Sequence, residues 1–246
     1  MDDYPNAVVV DVGTFMKYSE SNQFIGAENL DLMENAVRYT AYVGQLVASE
    51  LPTMGNILEF GAGSGSQTAH VLKPTERLTC IEINPALQET LIRRGYKVAS
   101  ELKEISDNSQ SCAYSINCLE HIEDDKGVLK ILTDKVQVGG KIVIYVPAMP
   151  ILFSSMDRLV GHHRRYKRKG LIELIKSQGM SVIECRYVDS LGVIPSLLYR
   201  LIPKSSGEPS VRSLKIYDML LFPVSKFCDR IFGKFFGKNL FIVAVK

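Results

Sequence analysis

The sequence predicts a doubly wound α/β domain with a mostly parallel, seven-stranded sheet and a helical insertion before the last strand. Short apolar runs alternate with segments of helical periodicity, as in parallel strands joined by helical crossovers. A glycine-rich turn after the first strand, at residues 61–65, is typical of the ligand-binding edge of such sheets. With 246 residues, 46% hydrophobic and 23% charged, we expect one domain spanning residues 1–246.

Each element follows from the spacing of apolar residues. Weak periodicity in residues 1–34 predicts a cap or lead-in, and helical spacing over residues 31–50, stopped by Pro52, predicts an entry helix. The prolines and apolar helical patterns of residues 195–237 predict the insertion. Further helices are predicted at residues 67–72, 85–94, 124–136 and 171–177. The strands are predicted at residues 56–60, 78–83, 96–100, 111–117, 141–147, 181–188 and 240–245.

Composition excludes several classes of protein. The net charge of +2 is too small to hold a nucleic-acid backbone without a local basic patch. Five cysteines without a C-x-x-C pair indicate reduced, buried thiols. The start of the chain is acidic where a secretory signal is basic, and no apolar run reaches the ~18–20 residues of a membrane span. We therefore expect a cytoplasmic protein.

Two neighbouring features predict a ligand site. The turn Gly61-Ala62-Gly63-Ser64-Gly65 joins a strand to a helix, where glycine lets the backbone approach a ligand closely. Glu82 ends the next strand, where a carboxylate can accept hydrogen bonds from ribose hydroxyls. The alternative interpretation of Glu82 is an acidic residue that stabilises the start of the following helix. Gln67 and Thr68 follow where a dinucleotide fingerprint requires glycine, which disfavours NAD.

These motifs, taken together and in order, resemble a known family. LEFGAGSG, CIEINP, INCLEHIED and the glycine pair before IVIYVP are similar to the motifs of class I S-adenosylmethionine-dependent methyltransferases, over about residues 39–147. The resemblance implies the Rossmann-like methyltransferase fold, S-adenosylmethionine as cofactor and S-adenosylhomocysteine as product. It implies that Glu59 anchors the glycine turn and faces the methionyl amino group, and that Glu82 holds the ribose. The implied cofactor-binding residues are Tyr39, Glu59, Gly61, Ala62, Gly63, Gly65, Glu82, Ile83, Ser100, Asn117, Cys118 and Leu119.

The segment after the fifth strand indicates the acceptor side. Residues 157–166 resemble the D-x-x-x-G-H-x-R-R-Y segment of a bacterial methyltransferase subgroup found with glycan enzymes, and residues 148–170 are expected to form a lid on the acceptor side. Nucleic-acid amino-methylating relatives carry N-P-P-Y or D-P-P-Y where this chain has Asn117-Cys118-Leu119-Glu120, which disfavours base methylation.

Candidate catalytic residues come from this segment. His162 is the first candidate for a general base, because imidazole titrates near neutral pH, with Asp157 orienting it. Arg165 is expected to clamp an anionic acceptor, Tyr166 to close the site, and His121 is a further candidate base. The alternative is a solvated basic patch or a structural lid. No metal is expected, since the four histidines show no ligand spacing.

A second basic pattern lies in residues 213–238. Apolar residues recur at helical spacing there, beside basic residues at every fourth position, which predicts an amphipathic helix. Such a helix packs on the core or on a second subunit, or contacts an anionic membrane peripherally.

The sequence therefore predicts methyl transfer to a small-molecule or glycan acceptor, with oxygen favoured. The alternatives are N-methylation of a small amine or metabolite, and a silent cofactor-binding partner module. RNA binding is disfavoured, since few aromatic residues accompany the basic run.

Overall fold

A computed structural model describes residues 35–201 and 211–246, so the predicted lead-in at residues 1–34 lies outside the described residues. The seven predicted strands form one sheet in the order β3-β2-β1-β4-β5-β7-β6, which confirms the predicted fold class. β7 runs antiparallel to β5 and β6, and every other pairing is parallel. The strands are β1 (Asn56–Phe60), β2 (Leu78–Ile81), β3 (Lys97–Ala99), β4 (Gln110–Ile116), β5 (Val136–Pro147), β6 (Ser181–Val188) and β7 (Asn239–Val245).

Helices cover both faces of this sheet. Two clusters of buried apolar side chains separate the sheet from its helices, and Tyr114 and Tyr145 are fully buried beneath one face. All five cysteines are free; four are buried as predicted, whereas Cys228 is partly exposed. The helices are α1 (Val37–Ala48), α2 (Thr68–Val71), α3 (Pro85–Arg93), α4 (Asp125–Lys135), α5 (Ser155–Leu159), α6 (Arg168–Lys176), α7 (Val193–Leu201), α8 (Val211–Ile216) and α9 (Phe222–Phe232).

Helix α5 was not predicted, because its five residues are too few to show a periodicity. A capping box begins it: Ser154 Oγ accepts a hydrogen bond from the backbone of α5, and the Asp157 carboxylate accepts one from the Ser154 backbone N–H. The cap fixes Asp157 within residues 148–170, the segment after β5 that keeps the name lid from its predicted position.

The insertion runs from α7 to α9 between β6 and β7. A π-helical turn, Tyr217–Leu221, joins α8 to α9 without a break. Pro223 has no N–H to donate to the carbonyl of Met219, and that carbonyl accepts a hydrogen bond of 2.9 Å from Arg38 instead. The proline therefore creates a docking point for α1 rather than ending the helix.

Asp218, in the same turn, fastens α1 to the insertion. Its carboxylate accepts hydrogen bonds from the backbone N–H groups of Arg38 (3.0 Å) and Tyr39 (2.8 Å), at the start of α1. Asp218 thus serves as an N-cap supplied by another helix.

Lys238 departs from the amphipathic pattern. It lies beyond the end of α9 and is partly buried, and burial lowers the pKa of its ammonium group. It therefore does not extend the row of surface cations on α9. Within residues 35–201 and 211–246, no helix combines the length and apolar character needed to cross a bilayer.

Candidate active site

The glycine turn lies at the carboxyl ends of β1 and β2. Gly61, Gly63 and Gly65 all have positive φ angles, of 79°, 57° and 79°. The N–H groups of Gly61 and Ala62 both donate to the carbonyl of Ile81, which binds the turn to β2. A Cβ atom on Gly61 would lie 2.2 Å from the sulfur of Cys118, so this turn also rests against the segment that follows β4.

Glu82 holds the turn. Its side chain accepts hydrogen bonds from the N–H of Gly63 (2.8 Å) and of Asn84 (2.9 Å), one on each oxygen. Burial raises the pKa of Glu82, while these backbone hydrogen bonds act to lower it. Each carboxylate oxygen retains capacity for another donor, such as a hydroxyl.

Glu59 lies deeper than Glu82 and is only 2% exposed. Burial raises the pKa of its carboxyl to about 7, and the nearby hydroxyls of Thr68 and Tyr114 act in the opposite direction. The side chain that accepts a hydrogen bond from the backbone of the glycine turn is Glu82, through the N–H of Gly63. The resemblance assigned the anchoring of this turn to Glu59 instead.

The remaining cofactor candidates lie at differing distances from the turn. Ile83 follows Glu82 directly, and Ser100 follows β3, where its hydroxyl accepts a hydrogen bond from Gln88. Asn117, just after β4, is exposed and has a left-handed backbone conformation (φ 48°), and Leu119 beyond it is buried. Tyr39 is placed differently.

The Tyr39 hydroxyl lies in a buried hydrogen-bond network with Tyr145 (3.0 Å) and Asn239 (3.1 Å). Its ring packs edge-on against Phe222 of α9. These contacts make Tyr39 part of the packing between α1, the sheet and the insertion.

The lid brings Asp157 and His162 together. His162 Nδ1 lies 2.9 Å from the Asp157 carboxylate, which also accepts a hydrogen bond of 2.7 Å from Arg165 Nε. Burial acts to raise the pKa of Asp157, but the hydrogen bonds from His162 and Arg165 prevail and hold it at about 2. An ionised carboxylate only accepts hydrogen bonds, so His162 Nδ1 carries a proton.

A second pair of side chains faces His162 from the segment after β4. His121 packs edge-on against the His162 ring, with centroids 4.7 Å apart. Glu120 is fully buried, and its Oε1 lies 3.8 Å from His162 Nε2. Burial, together with the charge of His162, lowers the pKa of His121 to about 4, while burial raises that of Glu120 to about 8.

Glu120 was not among the predicted site residues, and the expectation that no ligand set exists needs correction. Glu120, His121 and His162 bring one carboxylate and two imidazoles to within 4.8 Å of one another. No spacing in the sequence shows this, because the lid supplies His162 and the β4 segment supplies the other two residues.

Arg165 and Tyr166 do not occupy the places predicted for them. The Arg165 side chain is 9% exposed and binds Asp157, so its charge serves that carboxylate rather than an anionic acceptor. Tyr166 is buried in the core, and its hydroxyl donates to Asp125 at 2.7 Å. Its backbone pairs with Pro147 and Met149, which anchors the lid to the end of β5. Arg164 also binds Asp125, so part of the basic run is structural.

The charges and donors at the turn suit S-adenosylmethionine. Two buried carboxyl groups lie in or directly after adjacent strands, beside the glycine turn: Glu82 accepts a hydrogen bond from that turn, and Glu59 is in the strand that leads into it. The cofactor offers an ammonium group, a sulfonium and two ribose hydroxyls, which are complementary to carboxylates. The residues present therefore fit the group.

Comparisons with known proteins agree with this geometry. Residues 58–144 match the family model described as a methyltransferase domain. One similar structure is a complex between the Haloferax volcanii Trm112 methyltransferase activator and a methyltransferase. The matching chain has a TM-score of 0.61 and 11% identity, and the match covers 93% of this chain and 98% of that one. Comparison with curated proteins gives no match.

Two further structures are similar in fold. A Thermotoga maritima S-adenosylmethionine-dependent methyltransferase, described as a possible histamine N-methyltransferase, has a TM-score of 0.61 and 17% identity, and covers 92% of this chain and 97% of its own. An Archaeoglobus fulgidus methyltransferase has a TM-score of 0.56 and 14% identity, with coverage of 82% and 94%. The family model thus assigns residues 58–144 to a methyltransferase domain, and the similar structures share the fold of this chain.

Proposed function

We propose that this chain, a class I methyltransferase by its matched domain and its fold, transfers a methyl group from S-adenosylmethionine to an oxygen of a small-molecule or glycan acceptor. One observation supports oxygen as the acceptor atom: the buried Asp157 carboxylate holds His162 in a defined orientation. A hydroxyl must lose its proton during methylation, and an oriented imidazole can accept that proton.

His162 is suited to that role through its second nitrogen. Because Nδ1 donates to Asp157, Nε2 carries the lone pair that accepts a proton, and Asp157 stabilises the imidazolium that forms. The bond between methyl carbon and sulfur breaks, the bond between carbon and acceptor oxygen forms, and the hydroxyl proton passes to Nε2. The glycan class rests on the resemblance of residues 157–166.

N-methylation is the second candidate, and the similarity to a structure described as a possible histamine N-methyltransferase favours it. A neutral amine already presents its lone pair, so this reaction depends less on a base. His162→Gln then lowers kcat little, whereas O-methylation requires a loss of about 10²- to 10⁴-fold. Adjacent His163 offers the matched control, His163→Gln, which should keep wild-type kcat on either acceptor.

The first experiment is calorimetric titration with S-adenosylmethionine, S-adenosylhomocysteine and NAD. We expect binding of the first two alone, followed by detection of a methylated product by mass spectrometry in a screen of hydroxyl and amine acceptors. Cofactor binding with no turnover on any acceptor would favour the silent partner module instead.

We further propose that the insertion contacts an anionic membrane surface. Helix α8, the π-helical turn and α9 form one continuous helical rod, the α8–α9 rod. One face of this rod is apolar and more than half exposed, at Leu220, Val224, Phe227 and Ile231. The opposite face is buried, at Phe222, Ser225 and Asp229. Arg230 is exposed on the same helix, and exposed Lys234 follows two residues after its end. Apolar side chains flanked by cations are typical of helices that lie in the headgroup region.

Vesicle sedimentation tests the membrane proposal. We expect the protein to bind phosphatidylcholine vesicles that contain phosphatidylglycerol, and Phe227→Glu to abolish binding. Met54→Glu is the matched control, since Met54 is 80% exposed outside the insertion. Absence of binding by the wild type at low salt would refute the proposal, and a concentration-dependent dimer lost in Phe227→Glu would assign the stripe to a second copy.

A further inference from the structure

We infer that Glu120, His121 and His162 form a binding site for a divalent transition-metal ion on the acceptor side of the site. The three side chains offer one carboxylate oxygen and two imidazole nitrogens within 4.8 Å of one another. Two histidines and one glutamate make a ligand set found in catalytic zinc sites. Only the role of the metal in methyl transfer rests on the proposed function. Metal binding itself can be tested without an acceptor.

The environment of Glu120 is the first argument. Its side chain is 0% exposed, and neither carboxylate oxygen has a hydrogen-bond partner among the described residues. A buried carboxyl group without a partner is costly. A cation bound between this carboxylate and the two imidazoles would satisfy one of these oxygens, or both if the carboxylate binds it in bidentate fashion.

The second argument is the support behind each histidine. His162 holds Asp157 with Nδ1, which leaves Nε2, 3.8 Å from Glu120, to face the cluster. His121 Nδ1 lies beside Gly161, 3.8 Å from the position that a Cβ atom on that glycine would take. A histidine that binds metal with one ring nitrogen usually donates the other to a carboxylate or a backbone carbonyl, and His162 follows that rule through Asp157.

The distances require a small contraction. Bonds of about 2.1 Å from metal to nitrogen or oxygen place ligand atoms roughly 3–4 Å apart. The Glu120–His162 separation of 3.8 Å is within this range, and the widest pair needs a shift of less than about 1 Å. Rotation of side chains can supply such a shift.

Imidazole and carboxylate together suit Zn²⁺, Co²⁺ or Mn²⁺, and three protein ligands leave at least one position open. Under the proposed function, that position accepts the acceptor oxygen, and the metal lowers the pKa of the hydroxyl. His162 would then be a ligand in the loaded enzyme rather than the base, and the proton of the metal-bound hydroxyl would leave to solvent water. The acceptor class narrows to molecules with a hydroxyl that can bind a metal.

Titration with Co²⁺ tests the site, using full-length protein stripped with a chelator and free of any affinity tag. We expect saturable binding of one Co²⁺, seen by visible absorption bands and by calorimetry. His162→Gln and Glu120→Gln should each weaken binding by at least about 10-fold, and Asp157→Asn by about 10- to 100-fold. His163→Gln, the adjacent histidine outside the cluster, should retain wild-type affinity.

Wild-type protein that binds no Co²⁺, or binds it equally well in all variants, would overturn the inference. Far-UV circular dichroism confirms that each variant folds. A methyl-transfer assay on the same samples, read by mass spectrometry, separates the two proposals: transfer that persists in excess chelator excludes a role of the metal in the reaction and keeps the proposed function. Metal binding without methyl transfer to any hydroxyl would refute the proposed function and support the metal site.

Discussion

At the scale of single residues, the two carboxyl groups below the glycine turn have different surroundings. Glu82 receives backbone N–H groups, whereas Glu59 is enclosed and its pKa is raised by burial to about 7. An acid whose pKa is raised on folding binds its proton more tightly in the folded state. Its contribution to stability is therefore complete at low pH and is lost as the pH rises through about 4.5 to 7.

The change Glu59→Gln removes this titration. We expect the difference in the free energy of unfolding between variant and wild type to shift by about 2 kcal/mol in favour of the variant between pH 5 and pH 8.5. Urea denaturation at both pH values measures it. Glu173→Gln, at an exposed carboxylate, is the control, and an equal shift there would argue against the assignment.

A pair of glycines separates backbone strain from close contact. Gly61 and Gly139 have similar φ angles, 79° and 77°, but a Cβ atom would meet Cys118 at the first and nothing within 4 Å at the second. We expect Gly139→Ala to cost about 1 kcal/mol and Gly61→Ala about 2 kcal/mol more. Chemical denaturation compares them, and equal losses would show that the contact with Cys118 is unimportant.

At the scale of elements, the start of α1 depends on the insertion through Asp218. Replacing Asp218 by Ala leaves two N–H groups of α1 without partners, and we expect a loss of about 2 kcal/mol, with Asp218→Asn losing less. Urea unfolding checks this. Leu220→Ala, an exposed position of the same rod, should change stability by less than about 0.5 kcal/mol. A similar loss in both would deny the capping role.

The sequence predicted the elements better than the contacts between them. All seven strands were predicted, because the apolar runs and helical segments alternate regularly. The location of Glu120 beside His162 was not predictable, since it depends on how the lid crosses the end of the sheet. The π-helical turn was equally hidden, because Pro223 in isolation predicts a break.

The same reasoning explains the basic run. Arg165 and Tyr166 belong to a motif that indicates an acceptor site. In the fold both side chains are buried, and Arg165 binds Asp157 while Tyr166 binds Asp125. Sequence alone does not distinguish a cation that awaits a ligand from one that already has a carboxylate in the fold.

At the scale of the whole molecule, cofactor binding should stabilise the entire fold, because the turn, β2 and the segment after β4 meet at one edge of the sheet. At a concentration 100 times the Kd, S-adenosylmethionine should add about 2.7 kcal/mol, which raises the Tm by ~5–10 °C. Thermal unfolding monitored by circular dichroism measures the shift. Glu82→Ala should lose it at the same concentration, and an unchanged shift would contradict the role of Glu82.

The place of β7 in the sheet has a consequence for the order of events during synthesis. β6 pairs only with β7 among the described strands, so it has no edge to join until β7 has left the ribosome. The insertion emerges between the two strands, and its apolar stripe is then exposed while the sheet is still incomplete. A nascent chain paused before Asn239 would therefore expose both an unpaired strand and an apolar helix surface to chaperones.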